Sequence, residues 1–455
     1  MRTSIQSGNG CRKAIKLPEN LLFPRPVAQI RTTYLYGMTQ PTMTTISVEE
    51  IIKARHRLRG IALETPLMRS TRLSRLYDAE IYLKREDLQE VRSYKIRGSY
   101  NKMASLSTEE RTRGVVCASA GNHAQGLAYA CNAMQVKGVI FMPVVTPAQK
   151  VRKVRMFGGE YVEVVLIGDT YDDAYSESMR VAEERGLTYV HPFDDPKTIA
   201  GQGTVGLEIL DASTQPIDLL VMAVGGGGLS AGIGSVFSQL SPHTKLIGVE
   251  PSGAPAMYKS LQAGEVVTLD TIDSFVDGAA VRRVGQHNFP IVRDTIDHIE
   301  LVDEGKVCGV MLDLYNEDGL VVEPAGALSI AVLDQLGDLH GKRIVCIVSG
   351  GNNDITRTPE IQERALMYSG LKHYFIVEFP QRSGALRDFL DVLGPEDDIT
   401  HFEYTKKHNR AMGPALVGIQ LGQRGDFEKL LKRMEDRKLR FEHLNDQPIL
   451  FEMLI

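Results

Sequence analysis

The stretch "VMAVGGGGLSAG", residues 221–232, joins an apolar run to four consecutive glycines and then to a segment of small residues. An unbroken apolar run is typical of a strand that is covered on both faces of a parallel sheet. Consecutive glycines can adopt positive φ and let their N–H groups approach an oxyanion without a Cβ in the way. A helix that follows would add the positive partial charge of its N-terminus. The stretch therefore predicts a strand–loop–helix unit whose loop binds a phosphate group.

Two other interpretations of the glycine run stay open at this point. Gly226, Gly228 and Ala231 also match the G-x-G-x-x-A pattern of a dinucleotide-binding turn, with Glu250 at the end of the next strand as a candidate ribose ligand. The run could also be a purely structural corner, although four glycines carry a large conformational entropy cost if nothing binds. A simple phosphate loop needs only one phosphate group, so the choice of ligand depends on other segments of the chain.

Similar apolar runs recur along the chain and alternate with helical segments. They are "GVVCAS", "GVIFMP", "YVEVVLIG", "DLLVMAV", "KLIGVE" and "RIVCIVSG". This alternation is typical of parallel strands that are connected by right-handed helical crossovers. From Ser47, "SVEEIIKARHRLRG" has the cap and the apolar spacing of a first helix. The sequence predicts an α/β domain over residues 46–365, with two lobes around a cleft.

The last 85 or so residues follow a different pattern. Strands are predicted at "HYFIVEFP", "ITHFEYT", "ALVGIQL" and "PILFEMLI", with a helix at "SGALRDFLDVLG" and another at "DFEKLLKRMEDRKL". In the first helix Leu386, Phe389, Leu390 and Leu393 share one face. The order βαββαβ is that of a ferredoxin-like α+β unit. Because residues 371–455 contain no cluster of catalytic residue types, they are predicted to form a regulatory or assembly domain.

The composition excludes several classes of protein. The 455 residues carry a net charge of −5, which gives no electrostatic reason to expect nucleic acid as a partner. No run of eighteen apolar residues occurs, so we expect no membrane-spanning helix and no membrane partner. The five cysteines lack C-x-x-C spacing, which favours a reducing, cytoplasmic location. Residues 1–45 contain six basic residues and one acid, and we expect a disordered extension there rather than a targeting peptide.

Three further segments carry residues suited to cofactor chemistry. Lys95 lies in "SYKIRGSYNKM", and a lysine in a partly apolar cleft has a lowered pKa and can form a Schiff base as the neutral amine. "SAGNHAQG" places Asn122 after one strand, and "SGGN" places Ser349 after another. Ligands of open α/β sheets bind at these carboxyl ends of strands. A lysine, a ring partner and a phosphate loop are what pyridoxal 5'-phosphate requires, whereas a dinucleotide would leave Lys95 unexplained.

Six motifs occur in a fixed order between residues 46 and 365: "SYKIRGSY", "SAGNHAQG", "GGGGL", "GVEPSG", "VEPAGA" and "SGGN". In this respect the chain closely resembles the threonine dehydratases of the tryptophan-synthase-β type, the pyridoxal-phosphate enzymes of fold type II. Residues 371–455 resemble the single ACT-like domain of the short biosynthetic members. The resemblance implies a lyase that converts L-threonine to 2-oxobutanoate and ammonia, the first step of isoleucine biosynthesis. A catabolic serine/threonine dehydratase is the alternative, and a dinucleotide-dependent oxidoreductase or a non-catalytic amino-acid sensor are remote alternatives.

The resemblance also implies roles for individual residues. Lys95 would hold the cofactor and act as the base at the substrate Cα, Asn122 would bind the ring hydroxyl, and Ser349 would face the ring nitrogen. The phosphate would be bound by the main-chain N–H groups of Gly225, Gly226, Gly227, Gly228 and Leu229. Ser119, Gly121 and His123 would belong to the loop that binds the substrate carboxylate.

Two departures from the similar serine racemases refine this expectation. Ala120 stands where those enzymes carry a second serine, so racemisation should be poor. Ala256 stands where they carry an aspartate that binds a divalent cation, so no metal is expected.

The implied partners are L-threonine, with L-serine as a second candidate substrate, isoleucine as an allosteric inhibitor, and further copies of the chain in a homotetramer. Gly384 in "FPQRSGAL" is a candidate effector contact, or simply a strand–helix turn.

Overall fold

The computed structural model describes residues 45–404, 411–447 and 450–451. The predicted N-terminal extension, apart from its last residue, lies outside these residues. Within them the strands are β1 (Leu67–Arg69), β2 (Glu80–Arg85), β3 (Val115–Ala118), β4 (Gly138–Met142), β5 (Val162–Leu166), β6 (Thr188–Tyr189), β7 (Leu219–Ala223), β8 (Lys245–Pro251), β9 (His298–Val302), β10 (Arg343–Val348), β11 (Lys372–Pro380), β12 (Asp398–Tyr404), β13 (Met412–Gln420) and β14 (Arg440–His443).

The α-helices of the same residues connect these strands. They are α1 (Val48–Leu58), α2 (Thr71–Leu76), α3 (Lys95–Ala104), α4 (Thr108–Arg113), α5 (Asn122–Met134), α6 (Ala148–Gly158), α7 (Tyr171–Arg185), α8 (Pro196–Ala212), α9 (Gly228–Leu240), α10 (Ala256–Ala263), α11 (Asn288–Thr295), α12 (Glu304–Asp318), α13 (Pro324–Ala331), α14 (Thr358–Tyr368), α15 (Ala385–Leu390) and α16 (Phe427–Asp436). The first helix begins as predicted, with the Ser47 side chain accepting the N–H of Glu50.

Two sheets form the α/β part of the chain. The larger sheet has the strand order β1-β2-β10-β7-β8-β9, in which only β1 runs antiparallel to its neighbour. The smaller sheet, β5-β4-β3-β6, is parallel throughout. The chain leaves the larger sheet after β2, builds the smaller sheet, and returns at β7. This confirms the predicted α/β fold of two lobes with parallel sheets, and all six predicted apolar runs are strands.

The remaining strands of these sheets had weaker signals in the sequence. β1 and β6 are only three and two residues long, and β2 and β9 contain charged residues within their short apolar runs. Buried apolar side chains pack on both faces of each parallel sheet, which explains why the central strands lack polar alternation.

The C-terminal residues form an antiparallel sheet of order β12-β13-β11-β14, with α15 and α16 in the predicted βαββαβ sequence. The strand predicted at "PILFEMLI" was wrong at the two residues of it that the structure describes, and its other six residues lie outside the described ones; the last described strand is β14 (Arg440–His443). Residues 440–443 follow α16 closely and pair antiparallel with β11, whereas Leu450 and Phe451 are helical. The apolar face predicted for α15 was also only partly right, since Phe389 is buried while Leu386 and Leu390 are exposed.

A buried ion-pair cluster links the larger sheet to two helices of the α/β part. Arg97 on α3 donates to Glu86 at 2.8 Å and to Glu208 on α8 at 2.5 Å. Lys84 on β2 donates to Glu208 at 2.5 Å and to the carbonyl of Thr65 at 2.7 Å. Two cations thus balance two carboxylates away from solvent. Burial alone would raise the pKa of Glu86, but the adjacent Arg97 guanidinium holds that pKa below its ordinary value.

We expect the substitution Arg97→Met to lower the free energy of unfolding by about 3–5 kcal/mol, because it leaves two buried carboxylates facing a single lysine. Chemical denaturation followed by circular dichroism measures this loss. The matched control is Arg180→Met on α7, whose ion pairs with Glu177 and Glu184 are exposed and contribute little. Equal destabilisation by the two substitutions would contradict the role of the buried cluster.

Candidate active site

One lobe of the α/β part is built on the larger sheet and the other on the smaller sheet. A cavity of about 720 Å³ lies between these two lobes, at the carboxyl ends of several parallel strands. Every residue that the resemblance assigns to the cofactor or the substrate lines it. These residues are Lys95, Ser119, Gly121, Asn122, His123, Gly225, Gly226, Gly227, Gly228, Leu229 and Ser349. The fold therefore brings together four segments that are separated by long stretches of chain.

Lys95 is the first residue of α3, and its amine lies against apolar rings. Its Nζ atom is 5.3 Å from the ring centroid of Tyr94 and 5.9 Å from that of Phe193, and it donates to the carbonyl of Pro192 at 3.0 Å. Burial lowers the pKa of Lys95 to about 8, against the opposing effect of the Glu323 carboxylate. The amine is therefore partly neutral near neutral pH, which is the state that reacts with a carbonyl group.

The glycine loop connects β7 to α9 and has no room for side chains. Gly227 has a φ of +90°. A Cβ on Gly226 would lie 2.4 Å from the ring of Phe193, and one on Gly228 would lie 2.5 Å from Oε1 of Gln202. The N-terminal N–H groups of α9 begin at this loop, where an anion is favoured. With Lys95 in the same cavity, these residues fit the phosphate and the aldehyde of pyridoxal phosphate.

Asn122 is held in place by two groups from the other lobe. Its Nδ2 donates to Glu323 at 2.6 Å, and its Oδ1 accepts from Nδ2 of Asn352 at 2.7 Å. Burial raises the pKa of Glu323 to about 7, and the hydrogen bonds from Asn122 and from the Asn352 N–H act in the opposite direction. Within the described part of the chain, one Nδ2 hydrogen of Asn122 remains for a ligand, which is compatible with its predicted bond to the ring hydroxyl.

The ring of His123 is buried and is committed to the protein. Nε2 lies 2.8 Å from the carbonyl of Val190, so it carries the hydrogen, and Nδ1 faces the hydroxyl of Ser99 at 3.2 Å. Burial lowers the pKa of His123 to about 3, which keeps the ring neutral. His123 can therefore contribute only its main-chain N–H to the predicted carboxylate site. That site, formed with Ser119 and Gly121 at the start of α5, stays a prediction.

The remaining predicted residues have simpler surroundings. Ser349 follows β10 and lines the cavity, where its hydroxyl makes no hydrogen bond to another described residue. Glu250 is buried and accepts the N–H groups of Met257 and Tyr258 at 2.8 Å each, so it caps α10 and is not available to a ribose. Gly384 is exposed with a φ of +85° at the start of α15, which a turn alone accounts for. Its effector role stays a prediction.

Two cavity residues were missed by sequence reasoning. Glu323 appeared only as part of the "VEPAGA" motif, and nothing in the sequence indicates its contact with Asn122, which lies 201 residues away. Phe193 follows no recognisable pattern, and only the fold places its ring against Gly226 and Lys95. Among the residues that the structure describes, no group of three or more metal-ligating side chains occurs.

The lowered pKa of Lys95 leads to a test on the cofactor-free protein. We expect the amine of Lys95 to react with an amine-specific reagent in a pH profile centred near 8, because burial disfavours its charged form. Lys53 is the control, since Glu49 and Glu50 raise its pKa and its labelling should rise only at more alkaline pH. Peptide mass spectrometry quantifies both labels. Coincident profiles for the two lysines would contradict the assignment.

Comparison with known proteins agrees with this geometry. Residues 58–350 match the family described as "Pyridoxal-phosphate dependent enzyme", and residues 363–454 match the "C-terminal regulatory domain of Threonine dehydratase". The chain is 51% identical over 415 residues to a biosynthetic L-threonine dehydratase of Halalkalibacterium halodurans, covering 91% of this chain and 100% of the relative. The corresponding Bacillus subtilis protein is 53% identical over 413 residues, covering 90% and 98% of the two chains.

A solved structure shows the same relationship. The processed form of threonine deaminase isoform 2 from Solanum lycopersicum is 40% identical, with a TM-score of 0.67, covering 70% of this chain and 88% of that one. No helix in the described part of this chain is long and apolar enough to cross a membrane. The chain belongs to the pyridoxal-phosphate-dependent enzyme family and, within it, to the threonine dehydratases that carry a C-terminal regulatory domain.

Proposed function

We propose that this chain converts L-threonine to 2-oxobutanoate and ammonia by β-elimination, as a biosynthetic threonine dehydratase. The observation that carries the proposal is the Lys95 amine, with its lowered pKa, in one cavity with a side-chain-free glycine loop and Ser349. Relatives that match over nearly their whole length bear the name of this activity, which supports the same substrate here.

Bound pyridoxal phosphate would withdraw electron density from the substrate Cα and so make its proton removable. Lys95 would hold the cofactor and, as the neutral amine, accept the proton from Cα. The N–H groups at the start of α5 would orient the substrate carboxylate. Ser349 would face the ring nitrogen with a neutral hydroxyl, which stabilises a protonated ring less than a carboxylate would. This arrangement favours loss of the β-hydroxyl over racemisation.

The direct test is the formation of 2-oxobutanoate from L-threonine by cofactor-loaded protein, compared with deamination of L-serine. We expect Lys95→Ala to lower the turnover number by about a thousandfold or more, because it removes both the attachment point and the base. Lys102→Ala, on the same helix but outside the cavity, is the control. Protein with full cofactor that forms no product would support the sensor alternative, and preferred deamination of serine would support the catabolic one.

We also propose that isoleucine inhibits the enzyme by binding to residues 371–455. A continuous set of contacts between this domain and the cavity supports the proposal. Glu363 on α14 accepts from the hydroxyl of Tyr374 at 2.6 Å and from the amine of Lys372 at 2.5 Å, both on β11. Arg364 on the same helix and Arg357, which immediately precedes the helix, pack on the ring of Phe275, with centroid distances of 4.3 and 4.6 Å.

The segment that contains Phe275 also reaches the cavity. Its neighbours Ser274 and Asp277 line the cavity, and the main chain of Ala279 packs against Gly225 of the glycine loop. A change in the position of α14 would therefore shift the segment that packs against the glycine loop. This gives the proposed inhibition a physical connection through packed side chains.

Deletion of the chain from Leu371 onward should leave threonine turnover in place and abolish inhibition by isoleucine, because the proposed effector site is removed while the cavity is not. Initial rates of 2-oxobutanoate formation with increasing isoleucine measure both properties. Glu363→Gln in the full-length chain is a second, smaller change. It should weaken inhibition, because it weakens the contacts of α14 with Lys372 and Tyr374 on β11. Inhibition that persists after the deletion would contradict the regulatory assignment.

We further propose that the chain divides into a catalytic domain over residues 46–365 and an ACT-like domain over residues 371–455. The change from parallel to antiparallel sheets after α14 supports this division. We also propose a homotetramer, which the resemblance to the threonine dehydratases implies. Sedimentation velocity would measure the mass of the assembly. A cytoplasmic location is proposed because the four described cysteines, Cys117, Cys131, Cys308 and Cys346, are free and buried, as is usual in a reducing compartment.

A further inference from the structure

We infer that Asn288 is a positioning residue for the phosphate of the cofactor, although it does not itself line the cavity. Asn288 is fully buried at the start of α11, behind the glycine loop. Its Nδ2 donates to the carbonyl of Gly226 at 2.7 Å, and the N–H of Gly285 donates to the same carbonyl at 3.0 Å. Two donors thus fix the direction of one peptide group in the loop.

The direction of this carbonyl determines the direction of the next N–H group. In a trans peptide the N–H points opposite to the preceding carbonyl, and no cis peptide occurs in the described part of the chain. Because the Gly226 carbonyl is turned away from the cavity toward Asn288, the N–H of Gly227 is turned toward the cavity. Gly227 permits this with its φ of +90°. Asn288 therefore orients a phosphate-binding N–H without touching the phosphate.

The same side chain also joins the glycine loop to the segment that carries Phe193. The second Nδ2 hydrogen of Asn288 reaches the carbonyl of Phe193 at 3.2 Å. Both partners are carbonyl oxygens, so the nitrogen of the amide must be the atom that faces them. The Oδ1 atom is buried and has no partner among the described residues. A buried oxygen without a partner is unfavourable, and an apolar side chain at this position would not have one. We therefore attribute the role of Asn288 to the two hydrogen bonds that its Nδ2 group donates.

Asp194 fixes the position from which Asn288 acts. Its carboxylate accepts the N–H groups of Gln286 at 2.9 Å and of His287 at 2.8 Å, immediately before α11. The turn that leads into Asn288 is thereby attached to the same segment as Phe193. These hydrogen bonds hold Asn288 at a fixed position beside the glycine loop. Such support is needed, because a loop of four glycines has little conformational preference of its own.

This inference predicts a defect that is specific to the phosphate group. Loss of the Asn288 donors should let the Gly226–Gly227 peptide rotate, which weakens binding of the phosphate. The hydrogen bonds of Lys95 to Pro192 and of Asn122 to Glu323 do not involve Asn288 and should remain. For Asn288→Leu and Asn288→Ala, we expect the affinity for pyridoxal 5'-phosphate to fall about tenfold and that for pyridoxal to stay the same. The matched control is Asn101→Leu, which removes another fully buried amide that donates to the carbonyl of Lys197 outside the cavity.

The experiment uses the full-length, cofactor-free protein and measures the binding of pyridoxal 5'-phosphate and of pyridoxal by absorbance titration. Thermal unfolding of each variant verifies that it is folded, and the smaller alanine substitution serves if leucine is not accommodated. A selective fall in the phosphate-dependent affinity supports the inference. Equal weakening of both ligands, or no change in either, would overturn it. The inference rests on the cofactor of the family and not on the proposed substrate, so a failure of the threonine assay would leave this measurement interpretable.

Discussion

The buried contact between Arg97 and the carboxylates of Glu86 and Glu208 is the constraint on which the arrangement of the α/β part depends. It joins the end of β2, the helix α3 and the helix α8 at one point from which solvent is excluded. Such a cluster is stable only while every charge has its partner, because the desolvation cost of an unpaired ion is large. The N-terminus of α3, and with it Lys95, is therefore held at a defined position relative to the larger sheet.

Two cations lie only two residues apart on α3 and show opposite behaviour. Arg97 is surrounded by carboxylates, so its charge is retained in the interior. Lys95 is surrounded by aromatic rings and a carbonyl oxygen, so burial lowers its pKa to about 8. The helix turns the first side chain into the protein and the second into the cavity. The same element thus provides a permanent structural charge and a reactive amine.

The glycine loop gains its specificity from residues outside the motif. Taken alone, its spacing also satisfied a dinucleotide pattern, with Glu250 at a suitable distance along the chain. In the structure Glu250 caps α10 and is buried away from the cavity. The loop is instead packed against Phe193 and accepts a hydrogen bond from Asn288, and both contacts restrict the positions of its main chain. The dinucleotide match is therefore a coincidence of spacing.

Features that depend on short stretches of chain can be predicted from the sequence. Unbroken apolar runs predict the central parallel strands, and the glycine run predicts the strand–loop–helix unit of β7 and α9. The apolar neighbours of Lys95 in the sequence predict a reactive lysine, and Lys95 lines the cavity. Other features depend on contacts with the sheet: β14 forms by pairing with β11, and of the predicted apolar face of α15 only Phe389 is fully buried. Only the tertiary structure placed Glu323 on Asn122, the ring of His123 in the interior, and Asn288 behind Gly226. These contacts join residues far apart in the chain, and local propensity carries no information about such partners.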